Sequence, residues 1–267
     1  MIKRIALASL AVVGLSSAAL AADMRMPVKA PPPMPAPIFT WTGFYIGGFV
    51  GGAFADKDAV STEPQACAGA ACVFLFTQPG GIVSNNAYDL DSSFIGGGTV
   101  GYNWQMPGSQ WVIGIEGEVG YMDLNGSVRD INAAPPPALA GFDSTKMGEL
   151  YGVIAGRLGF TWDRVLIYGK GGVAFVEKSY TYAASVPPQT AILSRDDTQV
   201  TWAAGGGIEW AVTNNWSIKG EYLYIDTKED YDGAGVGVGG FINGAALVNR
   251  HSDPGIHTGK FGVNYRF

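Results

Sequence analysis

The chain has 267 residues and a formal net charge of −6; only 15% of its residues are charged, and 39 are Gly. Soluble domains carry roughly 25% charged residues and roughly 7% Gly, so this composition argues against a cytosolic enzyme and fits a β-rich membrane or secreted protein. An acidic chain without basic clusters also argues against nucleic acid as a partner. Beyond the N-terminal stretch, no segment approaches the roughly 20 consecutive apolar residues of a membrane-crossing helix, so a membrane form must cross as a closed barrel.

Lys3 and Arg4 precede an almost wholly apolar or small stretch, Ile5 to Leu20, and Ala19-Leu20-Ala21 supplies a small-residue cleavage site. This predicts a secretory signal peptide over 1–21, with no Cys nearby to make it a lipoprotein signal. Removing it takes two of the 17 basic residues and leaves a charge of 15 − 23 = −8. The segment 22–40 holds six prolines between Pro27 and Pro37 and is expected to be an extended spacer, with a peptide ligand for a partner as the alternative. The domain expected from 41–267 is an all-β, eight-stranded antiparallel transmembrane barrel.

Its strands show period-two alternation. Strand one, Trp41 to Phe54, is apolar or Gly in both phases, so its face stays open. Strand two runs from Asp91 to Gln105, a short turn follows, and strand three runs from Gln110 to Leu124. Strand four spans Leu150 to Trp162 and turns tightly at Asp163-Arg164 into strand five, Val165 to Val176. Strand six holds Thr201 to Trp210, strand seven Trp216 to Tyr224, and the last strand Thr258 to Phe267. Long loops are expected over Ala55–Leu90, Asn125–Met147, Glu177–Asp197 and Lys228–His257. Short periplasmic turns alternating with four long extracellular loops is the outer-membrane layout. The last strand would be an exposed edge unless it paired with strand one and closed the barrel.

One phase carries every charged strand residue that can be placed: Glu116, Glu118, Arg157, Lys170, Glu209, Lys219, Glu221, Lys260 and Arg266. That phase is otherwise read as Gly, Ala, Thr, Ser or Asn, which suits a tight lumen better than a water-facing surface. The other phase places Trp104, Trp111, Tyr121, Trp162, Trp210, Trp216 and Tyr224 near strand ends, as expected of an aromatic girdle at the bilayer interfaces. The charges are therefore expected inside, paired across strands; a narrow charged passage for small solutes is the alternative.

The segments TWTGFYIGG, LGFTWDRVLIYGKGGVAF, KGEYLYID and the terminal GVNYRF resemble the small eight-stranded outer-membrane proteins of alphaproteobacteria, the porin-like major surface antigens of brucellae and rhizobia. The resemblance covers 41–267. It implies a barrel in the outer membrane, in contact with outer-membrane lipid and lipopolysaccharide. It also implies that Phe267, with Tyr265 and Phe261, is the signal read by the barrel-assembly machinery. No peptidoglycan-binding module is expected after the barrel.

Other motifs carry less. Cys67 and Cys72, the only cysteines, are expected to form one disulfide in an exported loop. His251-Ser252-Asp253 joins three triad residue types, but neighbours in sequence do not easily converge as nucleophile, base and orienter; these residues and His257 are expected to be solvated. The match Gly235 to Gly240 lacks the βαβ context of a nucleotide site and is expected to be a mobile surface loop. Neither cofactor nor metal is expected, and the sequence sets no oligomeric state. The reading is a non-enzymatic structural barrel; a narrow porin is the alternative, and a lipid-modifying enzyme a minor one.

Overall fold

The structure is a computed structural model that describes residues 39–68, 84–130, 141–186, 189–238 and 246–267. The expected signal peptide, nearly all of the Pro-rich segment and Cys72 lie outside the described residues, and with them the expected Cys67–Cys72 pairing.

The described residues form strands β1 (Gly43–Ala55), β2 (Ala59–Ala68), β3 (Ser84–Tyr88), β4 (Ser93–Gln105), β5 (Trp111–Tyr121), β6 (Leu124–Asp130), β7 (Gly141–Trp162), β8 (Val165–Val186), β9 (Gln189–Ala211), β10 (Trp216–Ile225), β11 (Asp230–Val238), β12 (Ala246–Ser252) and β13 (Ile256–Arg266). Eight of them close an antiparallel ring in the order β1, β4, β5, β7, β8, β9, β10, β13. The closing ladder joins first and last strands from Tyr45↔Arg266 to Ala55↔Ile256, so neither strand leaves a bare edge. Asp163 makes the β7–β8 turn at φ 53, a left-handed conformation that Asp tolerates better than branched residues do.

Among the described residues, three of the expected long loops are largely sheet, and the remaining one, the third in order, is a hairpin. β2 and β3 lie in the first, β6 and the start of β7 in the second, and β11 and β12 in the last. Within the third, β8 and β9 stay paired out to Val186↔Gln189; Pro187-Pro188 lie outside the described residues. The glycines at 235 and 237 are in β11, which pairs with β12 and β9, so this part of the expected mobile loop is strand; 239 and 240 lie outside the described residues. These segments were hidden because polar and small residues occupy both faces, which blurs the alternation that marks a strand.

The added strands build a second wall above the first. β7, β8 and β9 run through both levels. At the lower level β7 pairs with β5 and at the upper with β6; β9 pairs below with β10 and above with β11. The upper wall continues through β12, β2 and β3, and β3 adjoins β6. The handover on β7 is a register shift between Met147 and Tyr151. Gly148 sits in it at φ +93, a conformation that glycine adopts freely.

Strand one, open in the sequence, turns Tyr45, Phe49 and Ala53 inward and Phe44, Ile46, Val50 and Phe54 outward. Its ladder begins after Trp41, which is buried and belongs to the lower mouth instead.

Inward glycines let neighbouring strands approach closely. A Cβ on Gly172 would fall 2.0 Å from the Ile154 carbonyl oxygen, whereas a Cβ on Gly259 would meet nothing within 4 Å. Gly172→Ala is therefore expected to destabilise the barrel by about 1–3 kcal/mol through forced backbone movement. Gly259→Ala should be near neutral. Urea unfolding in lipid compares the two; equal effects would contradict the geometry.

Candidate functional site in the barrel lumen

The lumen is filled in layers. At the lower mouth Trp41, Val112, Leu166, Tyr168 and Ala211 form one apolar cluster, with Phe39 packed against it. Above it lies the ion-pair layer. Alternation turns Glu116 and Glu118 of β5, Arg157 of β7, Lys170 of β8, Glu209 of β9, Lys219 and Glu221 of β10 and Lys260 of β13 inward, and all are buried.

The pairing is dense. Lys170 Nζ lies 2.9 Å from Glu116, 2.9 Å from Glu118 and 2.7 Å from Glu221. Lys260 reaches Glu118 at 2.5 Å and Glu221 at 2.8 Å, and Lys219 reaches Glu116 at 3.2 Å. Arg157 contacts Glu209 at 2.5 Å and Glu116 at 3.7 Å, with its guanidinium 3.5 Å from the centre of the Tyr168 ring. Four carboxylates thus face four cations. In a solvent-poor interior this balance matters, because an unpaired charge would be far costlier than any pair is stabilising.

Three tyrosines complete the layer. Tyr45 donates to Glu116 at 2.8 Å, Tyr151 to Glu118 at 2.7 Å and Tyr168 to Glu221 at 2.8 Å. Ser217 and Asn264 donate to Glu209 at 2.5 and 2.9 Å. Tyr151 and Tyr168 share the phase of Arg157 and Lys170 in the sequence, and the sequence reading gave them no role. Their phase was the available signal: a tyrosine among lumen charges has a hydroxyl that needs a partner.

Glu116, Glu118 and Glu221 bring carboxylate oxygens within 4.8 Å of one another, a spacing that would suit a metal ion. The ammonium groups of Lys170, Lys219 and Lys260 already stand among them. These residues therefore do not fit a metal: its charge would have to displace a lysine.

Arg266 stands apart from this layer. Its guanidinium lies 4.6 Å from the Phe39 ring centre and 5.1 Å from that of Trp41, and it donates to the Asn214 carbonyl at 2.8 Å. It makes no direct ion pair among the described residues, and Glu209 acts on it through space.

Next comes an apolar layer that the sequence reading did not foresee. Ile95, Met122, Leu124, Met147, Val176, Leu223, Ile225 and Ile256 are all fully buried and share one cluster with Phe49, Tyr151 and Val153. The inward phase is therefore not confined to charged and small residues. Towards the extracellular side it turns to large aliphatic ones, contributed largely by strand ends, where the sequence pattern is shortest.

The uppermost layer is polar and buried. Tyr180 donates to Asp143 at 2.8 Å, and Ser61 lies 3.2 Å from the same carboxylate. His251 Nε2 lies 3.0 Å from Thr145 Oγ1 and 2.9 Å from Asp253 Oδ1. Lys178 donates to Asp253 at 2.7 Å. The expectation of solvated, separate loop residues is corrected here: His251 and Asp253 are buried and touch, because β12 folds into the upper wall. They do not make a relay. One ring nitrogen faces both the hydroxyl and the carboxylate, whereas a triad needs the two nitrogens to serve different partners. His257 is half-buried, beside Tyr222 Oη at 2.5 Å.

On the outer face, Trp104, Trp111, Tyr121, Trp162, Trp210 and Trp216 are exposed and Tyr224 is half-buried. Phe261 and Phe267 are also exposed; Tyr265 is half-buried between Trp216, with ring centres at 5.0 Å, and Phe267, at 5.1 Å.

Comparison with known proteins finds outer-membrane relatives. The 31 kDa outer-membrane immunogenic protein of Brucella melitensis is 30% identical over 273 residues, covering 99% of this chain and 100% of its own. A 22 kDa outer membrane protein of Rhizobium leguminosarum is 31% identical over 133 residues, 49% of this chain and 52% of its own. Among solved structures, the outer membrane protein OprG of Pseudomonas aeruginosa aligns with 86% of this chain and 99% of its own at 12% identity, with a TM-score of 0.46. The family model for the outer membrane protein beta-barrel domain matches residues 7–267. With a closed antiparallel ring, an apolar outer face and that match over nearly its whole length, the chain belongs to the outer membrane protein beta-barrel family.

Proposed function

We propose that the protein is a structural element of the outer membrane, a barrel closed to solutes that contributes to envelope integrity and holds an extracellular wall. The apolar layer carries this reading. Met122, Met147, Leu223, Ile225 and Ile256 converge from both sides of the ring and are fully buried. A solute crossing the lumen would have to shed its water there and then part the ion pairs below. An eight-stranded interior is just wide enough for its own side chains, and here they occupy it.

The charged residues of the lumen act as fill and glue in this reading rather than as a passage. The outward aromatics form the girdle and meet outer-membrane lipid and lipopolysaccharide. Phe261, Tyr265 and Phe267 are the assembly signal, and 1–21 directs export. An enzymatic role is disfavoured by the shared nitrogen of His251 and by Ser252, which is only half-buried and outside the His251–Asp253 contact.

Single-channel recording in planar bilayers tests the proposal. The folded protein is expected to give no reproducible open step. A reproducible step of porin size would replace the structural reading with the narrow-porin one.

A further inference from the structure

We propose that β2, β3, β11 and β12 form a lid that opens from the extracellular wall as one unit, hinged on its links to the ring below. The upper wall divides into two sheets. β6 ladders to β7, and β7, β8 and β9 continue unbroken from the lower ring. The other four strands do not. Each joins the ring through a short stretch outside any strand: residues 56–58 before β2, 89–92 after β3, 226–229 before β11 and 253–255 after β12. Links of this kind absorb backbone rotation, which a strand running through both levels resists.

Within the lid the ladders follow the order β11, β12, β2, β3. At its margins they thin out. β11 is tied to β9 by three rungs, from Val236↔Ile192 to Val238↔Thr190. Between Ile192 and Ala203, β9 has no ladder on that side among the described residues, although β8 stays paired to its other edge throughout. β3 and β6 adjoin without sharing a ladder among the described residues. At the foot of that margin the Asp91 N–H donates to the Asn125 carbonyl at 2.8 Å.

Polar side chains hold the two sheets face to face. Asp143 of β7 is the keystone. Ser61 of β2 lies 3.2 Å from its carboxylate, and Asn86 of β3 donates to it at 3.4 Å. The hydroxyls of Tyr88 in β3 and Thr145 in β7 are 2.6 Å apart. His251 of β12 packs on the ring of Tyr180 in β8, with centres 4.5 Å apart. Of the lid strands, Ala59 and Tyr88 join the apolar cluster beneath, among the described residues. Water replaces polar bonds when such sheets part, so opening costs less than baring an apolar interface of the same size. An open lid bares Asp143, Thr145 and Tyr180 to the extracellular side, while the ion-pair layer below keeps the lumen shut.

The test is amide hydrogen exchange in the full chain, folded in detergent micelles and followed by NMR. Laddered amides of β2, β3, β11 and β12 are expected to share one opening and to exchange at least about ten-fold faster than those of upper β7 and β8. Asp143→Ala should speed exchange in all four lid strands by about ten-fold, as loss of a buried charged hydrogen-bond partner does. That includes β11, two strands beyond the contacts of Asp143 with β2. Exchange in β4, β5 and β10 should stay unchanged. Lid exchange as slow as that of upper β7 and β8, or acceleration that is absent or confined to β2 and β3, overturns the proposal. If Asp143→Ala does not fold, Ser61→Ala weakens the same latch and should speed lid exchange by about three-fold; no rise in β11 and β12 also overturns it.

Discussion

Replacing Lys170 with Met is expected to lower the stability of the folded barrel by about 3–5 kcal/mol, the cost of removing one partner from a buried pair. Lys170 is the most shared cation of the lumen: its ammonium lies within 2.9 Å of Glu116, Glu118 and Glu221. Without it four carboxylates face three cations, with apolar layers above and below that keep water from compensating. Adding Glu221→Gln restores the balance at three of each and should recover a substantial part of the loss, although the Tyr168 hydroxyl then donates to a neutral amide. Urea unfolding in lipid vesicles, read by heat-dependent gel mobility, measures both. A loss below about 1 kcal/mol for Lys170→Met, within the range of an exposed pair, would mean that the layer is reached by solvent and that its pairing does not hold the barrel together.

The second large effect is expected on the outer face. Ile154 points outward from β7, between Gly117 of β5 and Val173 of β8, and is 57% exposed among other apolar residues. In the bilayer that exposure is contact with lipid. Ile154→Arg should therefore cost about 2–4 kcal/mol, as a charge near the midplane does. Phe142 is outward on the same strand but in the upper wall, and is 48% exposed. Phe142→Arg should cost under about 0.5 kcal/mol, as surface changes usually do. Unfolding free energies in the same lipid separate them; similar costs at both positions would displace the apolar belt from where the strands put it.

Much of the lower ring was legible in the sequence because two environments meet across one strand thickness. Lipid on one side and a tight polar lumen on the other impose strict alternation, as in Trp111 to Tyr121. The pairing of first and last strands followed from the cost of a free edge. Strand one was illegible in its face because Gly and aromatics occur in both phases; only its neighbours, through Tyr45 and Glu116, fix it. The upper wall was illegible for a different reason. Both of its faces are outside hydrocarbon, so nothing forces polar and apolar residues apart, and β2, β6 and β11 read as loops. The upper lumen was misread because Met122 and Ile256 lie at or just beyond strand ends, and Met147 at the register shift of β7, where the period is broken. His251 and Asp253 were placed in solvent because adjacency in sequence says nothing about which wall a segment joins.

The three strands that run through both levels have a mechanical consequence. β7, β8 and β9 contain 22, 22 and 23 residues. At roughly 3.3 Å per residue each extends about 70 Å along its length, against an apolar band roughly 25 Å tall. Even with the usual tilt, about half of each strand stands clear of the membrane, laddered to at least one neighbour along nearly all of its length. The outward part is thus a stiff mast rooted in the bilayer and not a set of tethers. Whatever binds the described part of this wall meets laddered strands, and a pull there is carried by backbone into the membrane-embedded ring.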